Sequence, residues 1–161
     1  MRAVLSVGSN MDDRVELLRT VFRDFAGEIV SQSAVYSTPP WGVEDQDEFL
    51  NAVLVVDVND TPLQLLARGQ ELENQAQRAR LRRWGPRTLD VDIVDIEGFS
   101  SESAELTVPH PYAHQRAFVL IPWLEAHPAA TLHGKELGAL IADLDPAEVA
   151  GVRRLGMMEE L

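Results

Sequence analysis

Hydrophobic positions along this 161-residue chain switch between a period of two and a period near 3.6, and the switches mark its elements. Residues 2–8 run apolar and alternate, which predicts a first strand. Val15, Leu18, Val21, Phe22 and Phe25 then recur at helical spacing, predicting a helix capped by Asn10 or Asp12 and stopped at Gly27. Ile29 to Tyr36 and Phe49 to Val58, rich in β-branched residues, read as the second and third strands, with a Pro39-Pro40-Trp41-Gly42 loop between them. Thr61-Pro62 starts a second helix that runs to Gln77, and Leu89 to Ile96 alternates apolar residues with Asp90, Asp92 and Asp95 as a fourth strand. Beyond a polar stretch at 100–105, helices are predicted from Gln115 to Ala126 and from Glu136 to Leu144, and a closing strand at Val152 to Leu155. Strands mixed with single helices, without repeat or linker, predict one α+β domain over residues 1–161, a sheet covered by helices.

Composition narrows the chemistry. A hydrophobic fraction of 45% with 25% charged residues is that of a folded globular chain. The absence of cysteine excludes disulfides and thiolate metal sites, which suits a cytoplasmic protein, and the first apolar run is too short for an export signal or a membrane span. A net charge of −12 disfavours nucleic acid and anionic lipid as partners. Against that background Arg78, Arg80, Arg82, Arg83 and Arg87 place five of fourteen basic residues within ten positions. Glu71 and Glu73 on the preceding helix are available to neutralise part of this cluster, and a polyanionic ligand is the other way to do so.

On a strand, Asp90 and Asp92 stand about 6.6 Å apart and point the same way, so their carboxylates converge on one place. Oxygen-only donors suit Mg²⁺, which keeps waters and shares phosphate oxygens with a nucleotide. Arginine, whose planar fork grips phosphate bidentately, arrives at the same sheet edge within about ten residues. A D-x-D pair can also be no more than the solvent side of a strand; the adjacent arginines favour a polyphosphate site.

Gly8-Ser9-Asn10, Thr38-Pro39-Pro40 with Gly42, Phe49-Leu50-Asn51, Arg78-Ala79-Arg80, the run from Arg83 to Asp92 (R-W-G-P-R-T-L-D-V-D) and Pro109-His110-Pro111 resemble, in order and spacing, the hydroxymethyldihydropterin pyrophosphokinases. The resemblance extends from the first strand to about Pro128. It implies a ferredoxin-like α/β/α sandwich with a mainly antiparallel sheet, acting as a monomer on ATP and hydroxymethyldihydropterin. It also implies two Mg²⁺ ions held by Asp90 and Asp92, and Arg78 and Arg87 among the catalytic groups. Arg78, Arg80, Arg87, His110 and Arg116 would hold the triphosphate. Gln70 and Glu73 would lie on the nucleotide side, with Ile93, Leu106 and Thr107 around the adenine. A pterin is flat, with an amide-like edge. Asn51 would read that edge, Phe49 and Phe118 would sandwich the ring, and Thr38, Pro39, Pro40 and Trp41 would complete the wall. Trp84 and Trp41 read as lid residues over both substrates.

The chain departs from commoner members at Gln77 and at Phe49 in place of tyrosine, neither of which removes a charged contact, and at Pro111, which replaces a tyrosine seen in some members and weakens the correspondence at that position. Two other readings remain open on residues alone. One is a different Mg-dependent nucleotidyl- or phosphotransferase; the other is a non-catalytic module that binds a nucleotide on the same sheet.

Overall fold

The computed structural model describes residues 1–10, 13–39, 48–81 and 89–161, the side chains of 79–81 aside. The elements are β1 (Arg2–Ser9), α1 (Arg14–Asp24), β2 (Ile29–Gln32), β3 (Val35–Thr38), β4 (Phe49–Asp57), α2 (Pro62–Leu81), β5 (Leu89–Ile96), β6 (Ser101–Glu102), β7 (Thr107–Val108), α3 (Ala117–Ala126), β8 (Thr131–Leu132), β9 (Lys135–Glu136), α4 (Leu137–Ala142), α5 (Pro146–Ala150) and β10 (Arg153–Gly156). The main sheet runs β10-β3-β4-β1-β5, with β2 also on β4, and every pairing in it is antiparallel. With β2 and β3 counted as one interrupted strand, β1 to β5 follow the βαββαβ path of the ferredoxin-like fold.

Two apolar layers sandwich the sheet. On one face Leu5, Val7, Ala52, Leu54, Leu89, Val91 and Ile93 pack against Leu18, Val21, Phe22 and Phe25 of α1 and its end, and against Leu65, Leu72 and Ala76 of α2. On the other face Val4, Val53, Val55 and Val94 pack under Val119, Leu120 and Trp123 of α3, with Leu137 and Leu140 of α4 beyond. The α/β/α sandwich expected of this sequence is the arrangement found. Trp123 is 1% exposed, so one side chain fills much of the second layer.

Several boundaries differ from the sequence reading, each for a local reason. The strand predicted from Ile29 to Tyr36 breaks at Ser33 and Ala34, because the Ser33 hydroxyl accepts the Val53 N–H at 2.9 Å while its own N–H donates to the Val53 carbonyl. The first helix starts at Arg14 with Asp13 in the cap position and no side-chain capping bond, so Asn10 does not cap it; Asp12 lies outside the described residues. Thr61 does cap α2: its hydroxyl accepts the Gln64 N–H at 3.2 Å, and Gln64 returns the contact to the Thr61 N–H at 2.9 Å. That helix runs on to Leu81 rather than ending at Gln77. The helix expected from Gln115 becomes a 3₁₀ turn at Ala113–Gln115 followed by α3 from Ala117. The helix expected at 136–144 shortens to α4, and α5 follows it unforeseen.

Candidate active site

The site begins with register. Gly8 pairs with Asn51 on one side and with Asp90 on the other, and Ser6 stands likewise between Val53 and Asp92. Residues directly opposite in antiparallel strands share a face. Tyr36, Asn51, Gly8 and Asp90 therefore form one row, and Val53, Ser6 and Asp92 the next, on the side that carries α3. Asp90 and Asp92 point to the same side, as their spacing predicts, and both line a cavity of about 870 Å³. Its floor is Ser6, Gly8, Asn51, Asp90 and Asp92. Its walls are Thr38, Pro39, Phe49, Gln115, Arg116 and Phe118, with Asp145, Ala147, Glu148, Gly151 and Val152 from the C-terminal segment.

Gly8 has a packing role beyond ending a strand. A Cβ there would stand 2.9 Å from the Asn51 Oδ1, closer than such atoms approach, so the bare glycine is what lets the Asn51 amide lie across β1. The amide is fixed on its other side by donation from Nδ2 to the Thr38 hydroxyl at 3.1 Å, and Asn51 is only 5% exposed. A buried amide held at one end and open to a cavity at the other presents a fixed donor and acceptor edge to a planar ligand.

Beside β5, the Glu73 carboxylate of α2 accepts the Val91 N–H at 2.8 Å, midway between the two aspartates. β5 is an edge strand, so this bond satisfies a backbone donor facing away from the sheet and tethers the strand between its acidic side chains. Glu73, expected on the nucleotide side, thus braces the carboxylate pair. Gly69, one turn earlier, allows the Val91 side chain close against the helix, where a Cβ would meet it at 3.2 Å.

Arg116 lies at the rim, its guanidinium 5.6 Å from the Phe118 ring and 5.7 Å from the Tyr112 ring, distances at which a cation gains from both faces. His110 is held by its backbone N–H to the Val94 carbonyl at 2.8 Å, and its Nδ1 accepts the Tyr112 N–H at 3.2 Å, which leaves Nε2 to carry the proton. Burial pushes the imidazole below its ordinary value; the Asp92 carboxylate works against that shift and the Arg116 guanidinium with it. Arg78 is exposed and paired with Glu71 at 2.9 Å, the neutralisation anticipated from sequence and a weak surface contact that a phosphate can displace.

Gln70 is exposed on α2, Thr107 is half-buried on β7, and Ile93 and Leu106 are 7% exposed within the α1 and α2 layer rather than in the cavity lining. The side chain of Arg80, and Pro40, Trp41, Trp84 and Arg87 altogether, lie outside the described residues. Sequence reading missed Ser6, Gln115 and the whole C-terminal wall. The signal for α5 was present: Asp145-Pro146 is a cap followed by proline in the first turn, and the Asp145 Oδ1 accepts the Ala147 N–H at 2.9 Å. No helix among the described residues is long and apolar enough to cross a membrane.

Fold and site together define a ferredoxin-like α/β/α protein with an aromatic-walled, carboxylate-floored pocket for a small planar ligand and a polyanion. The sequence model of the family 7,8-dihydro-6-hydroxymethylpterin-pyrophosphokinase (HPPK) matches residues 4–128, and the chain belongs to that family. It is 43% identical over 166 residues to the 2-amino-4-hydroxy-6-hydroxymethyldihydropteridine pyrophosphokinase of Mycobacterium tuberculosis, covering 94% of this chain and 88% of that one. It is 39% identical to the Methylorubrum extorquens protein of the same name, covering 94% and 98%, and 39% identical to that of Bacillus subtilis, covering 76% of each. Among solved structures, Plasmodium falciparum HPPK-DHPS aligns with a TM-score of 0.64 at 15% identity, covering 88% of this chain. The chain spans 43% of that longer protein, and the likeness there is one of fold.

Proposed function

We propose that this chain transfers the β,γ-diphosphate of ATP to the hydroxymethyl oxygen of 6-hydroxymethyl-7,8-dihydropterin, giving the pterin diphosphate and AMP, a step of tetrahydrofolate biosynthesis. The observation that carries the reading is one cavity whose floor holds Asp90 and Asp92 side by side and whose walls offer Phe49, Phe118 and the clamped Asn51 amide. The first pair suits a polyphosphate with its cations; the second set suits a flat heterocycle with an amide edge. The names of the curated relatives support the same donor and acceptor.

In this reading the ring lies between Phe49 and Phe118, Asn51 reads its amide edge, and the hydroxymethyl group reaches toward Asp90. Its oxygen attacks the β-phosphorus of ATP as the bond from that phosphorus to the oxygen bridging it to the α-phosphorus breaks. AMP departs with the bridging oxygen, and the hydroxyl proton leaves toward the Asp90 and Asp92 side. Arg116 and His110 hold phosphate oxygens, and Arg78 exchanges Glu71 for phosphate when ATP binds. Positioning and charge neutralisation supply the acceleration, as is usual for phosphoryl groups.

Asp90 and Asp92 are the carboxylates of the cavity floor, and among the described residues they belong to no cluster of three or more His, Asp or Glu side chains, so a cation held there would be open to water and phosphate oxygens. That is the habit of Mg²⁺, and the pair fits it. Asp90 and Asp92 would hold the cation, which would supply charge neutralisation for the phosphates; the protein's part is to hold two carboxylates at fixed spacing, with Glu73 tethering the strand between them.

The test is AMP release from Mg-ATP with a panel of alcohols. AMP produced with 6-hydroxymethyl-7,8-dihydropterin and not with sugar or nucleoside alcohols supports the reading. ATP binding without AMP release under any acceptor would replace it with a nucleotide-binding module.

A further inference from the structure

We infer that the C-terminal segment from Asp145 to Arg153 is a specificity-determining wall of the pterin pocket, with Glu148 as its positioning residue. The inference rests on the pterin kinase reading above. The segment lies outside residues 4–128 that the family model matches, yet it supplies five lining residues of the cavity.

Three separate contacts tie this segment to the three walls a flat ring would touch. Glu148 Oε1 accepts the N–H of Ala117 at 3.4 Å, the residue between Arg116 and Phe118 at the start of α3. Gly151 lies against the other wall: a Cβ built on it would stand 3.4 Å from the Pro39 Cδ, and Gly151 N–H donates to the Ala147 carbonyl at 3.1 Å, closing the turn there. Arg153 pairs in register with Ser37 on β3 and donates to both carboxylate oxygens of Glu48, at 2.8 and 3.0 Å. Glu48 immediately precedes Phe49, and its carboxylate also takes the Ser37 hydroxyl. The Ser37 bond first, and Arg153 after it, hold the Glu48 carboxyl below its ordinary value although burial opposes them.

The geometric consequence is a brace. Phe49 and Phe118 come from different elements, β4 and α3, and both line the cavity. A stacked ring needs its two faces contacted at van der Waals distance, so the gap between the phenylalanines decides which heterocycles fit. The segment touches the neighbour of each phenylalanine and the proline beside them, and so sets that gap. Among its lining residues, Gly151 carries no side chain and Ala147 and Val152 carry small ones, which leaves room beside them at the ring's periphery.

The experiment compares Glu148→Ala, Glu148→Gln and Ala147→Leu with the unaltered chain. It measures KM for 6-hydroxymethyl-7,8-dihydropterin and for ATP separately, with calorimetric binding of 6-hydroxymethylpterin in the presence of a non-hydrolysable ATP analogue as a second readout. Glu148→Ala is expected to raise the pterin KM by about tenfold, as loss of one positioning hydrogen bond at a packed wall allows, with the ATP KM within about twofold. Glu148→Gln, which keeps an acceptor for Ala117, restores most of the affinity. Ala147→Leu, which puts bulk into the cavity from an exposed position, weakens pterin and analogue binding without lowering Tm. Unchanged pterin KM and calorimetric affinity in both Glu148→Ala and Ala147→Leu overturns the inference while leaving the kinase reading intact. So does an equal rise in both KM values, which marks general loosening. Failure of the unaltered chain to release AMP or to bind the pterin defeats the kinase reading itself, and the wall with it.

Discussion

Val4, Val55 and Val94 occupy one end of a sheet face, Ser6, Gly8, Asn51, Asp90 and Asp92 occupy the other end, and Val53 stands in the row of Ser6 and Asp92 where the two ends meet. Both groups sit on the same three strands and on the same side, with one register shift in the β1–β5 pairing between Val4 and Leu5. The valines lie under α3 and exclude water; the polar set lies beyond the start of that helix and floors a cavity. Strand geometry alone therefore does not decide where the core stops and the site begins. What decides is the chemistry at every second position: along β1 it passes from Val4 to Ser6 to Gly8, along β5 from Val94 to Asp92 to Asp90. Apolar residues draw a helix down on them, whereas carboxylates and a glycine leave room for a ligand.

The strongest way to break that contrast is Asp92→Ala. If the polar end exists for catalysis, the variant loses about a thousandfold or more of its AMP production, the scale expected on removing a group that holds cations against transferring phosphate, while Tm shifts by no more than a few degrees. Calorimetric scanning beside the coupled assay checks both halves. Full turnover would show the pair to be solvent-facing decoration, and an unfolded variant would show it to be structural.

The reciprocal change, Val53→Asp, puts polar chemistry at the apolar member of the row it shares with Ser6 and Asp92, where α3 covers the sheet. Val53 is completely buried beneath α3, so the new carboxylate has neither water nor a partner. Its cost in stability is on the order of 4 kcal/mol or more, and urea unfolding measures it. A variant that unfolds at the native denaturant midpoint would mean that water already reaches this end of the face.

A smaller effect tests the outer polar row, that of Asn51, Gly8 and Asp90. Gly8→Ala puts a methyl into the space of the Asn51 Oδ1 and must displace the amide, which is expected to weaken pterin binding by about 1–3 kcal/mol with less effect on ATP. Equal binding of both substrates would remove Asn51 from ring recognition.

Much of this was legible beforehand. Period-two patterning placed β1, β4 and β5 to within a residue, and the i, i+2 spacing put Asp90 and Asp92 on one side. What was not legible depends on pairing between distant strands. That Gly8 faces Asn51, or that Ser33 interrupts a strand by bonding Val53 twice, follows from register across twenty to forty residues, which no local pattern encodes. Glu73 shows the same limit. Its place on α2 was known, but its acceptance of the Val91 N–H depends on how far the helix advances along an edge strand. The C-terminal wall was missed for a different reason: α5 is only five residues long, too short for a periodic signal, and only its Asp145-Pro146 start was there to read.

The finest test lies where the two ends of the face meet. Tyr36 shares a row with Asn51, and its hydroxyl donates to the Oε1 of Glu125 on α3 at 3.1 Å, where the Ala34 N–H also donates at 2.6 Å. Arg154 Nε donates to Oε2 at 2.9 Å, so one carboxylate pins α3 to β3 and β10. Burial alone would raise the Glu125 carboxyl, but the bonds from Ala34, Arg154 and Tyr36 outweigh it and hold the group below its ordinary value. The same burial, with the adjacent negative charge, pushes the Tyr36 phenol up to about 12. A carboxyl that ionises more readily in the folded chain than in the unfolded one stabilises the fold fully above its unfolded value, and that contribution drains away as pH falls through the folded value. Glu125→Gln keeps one oxygen acceptor but loses the charge-assisted bond to Arg154, so it should be less stable than the unaltered chain by about 1 kcal/mol at neutral pH. The difference between the two proteins should narrow between about pH 5 and pH 3 in urea unfolding, since carboxylates common to both cancel. A gap that stays constant across that interval would show that α3 is held over the valines by packing alone, and that the junction of core and site owes nothing to this charge.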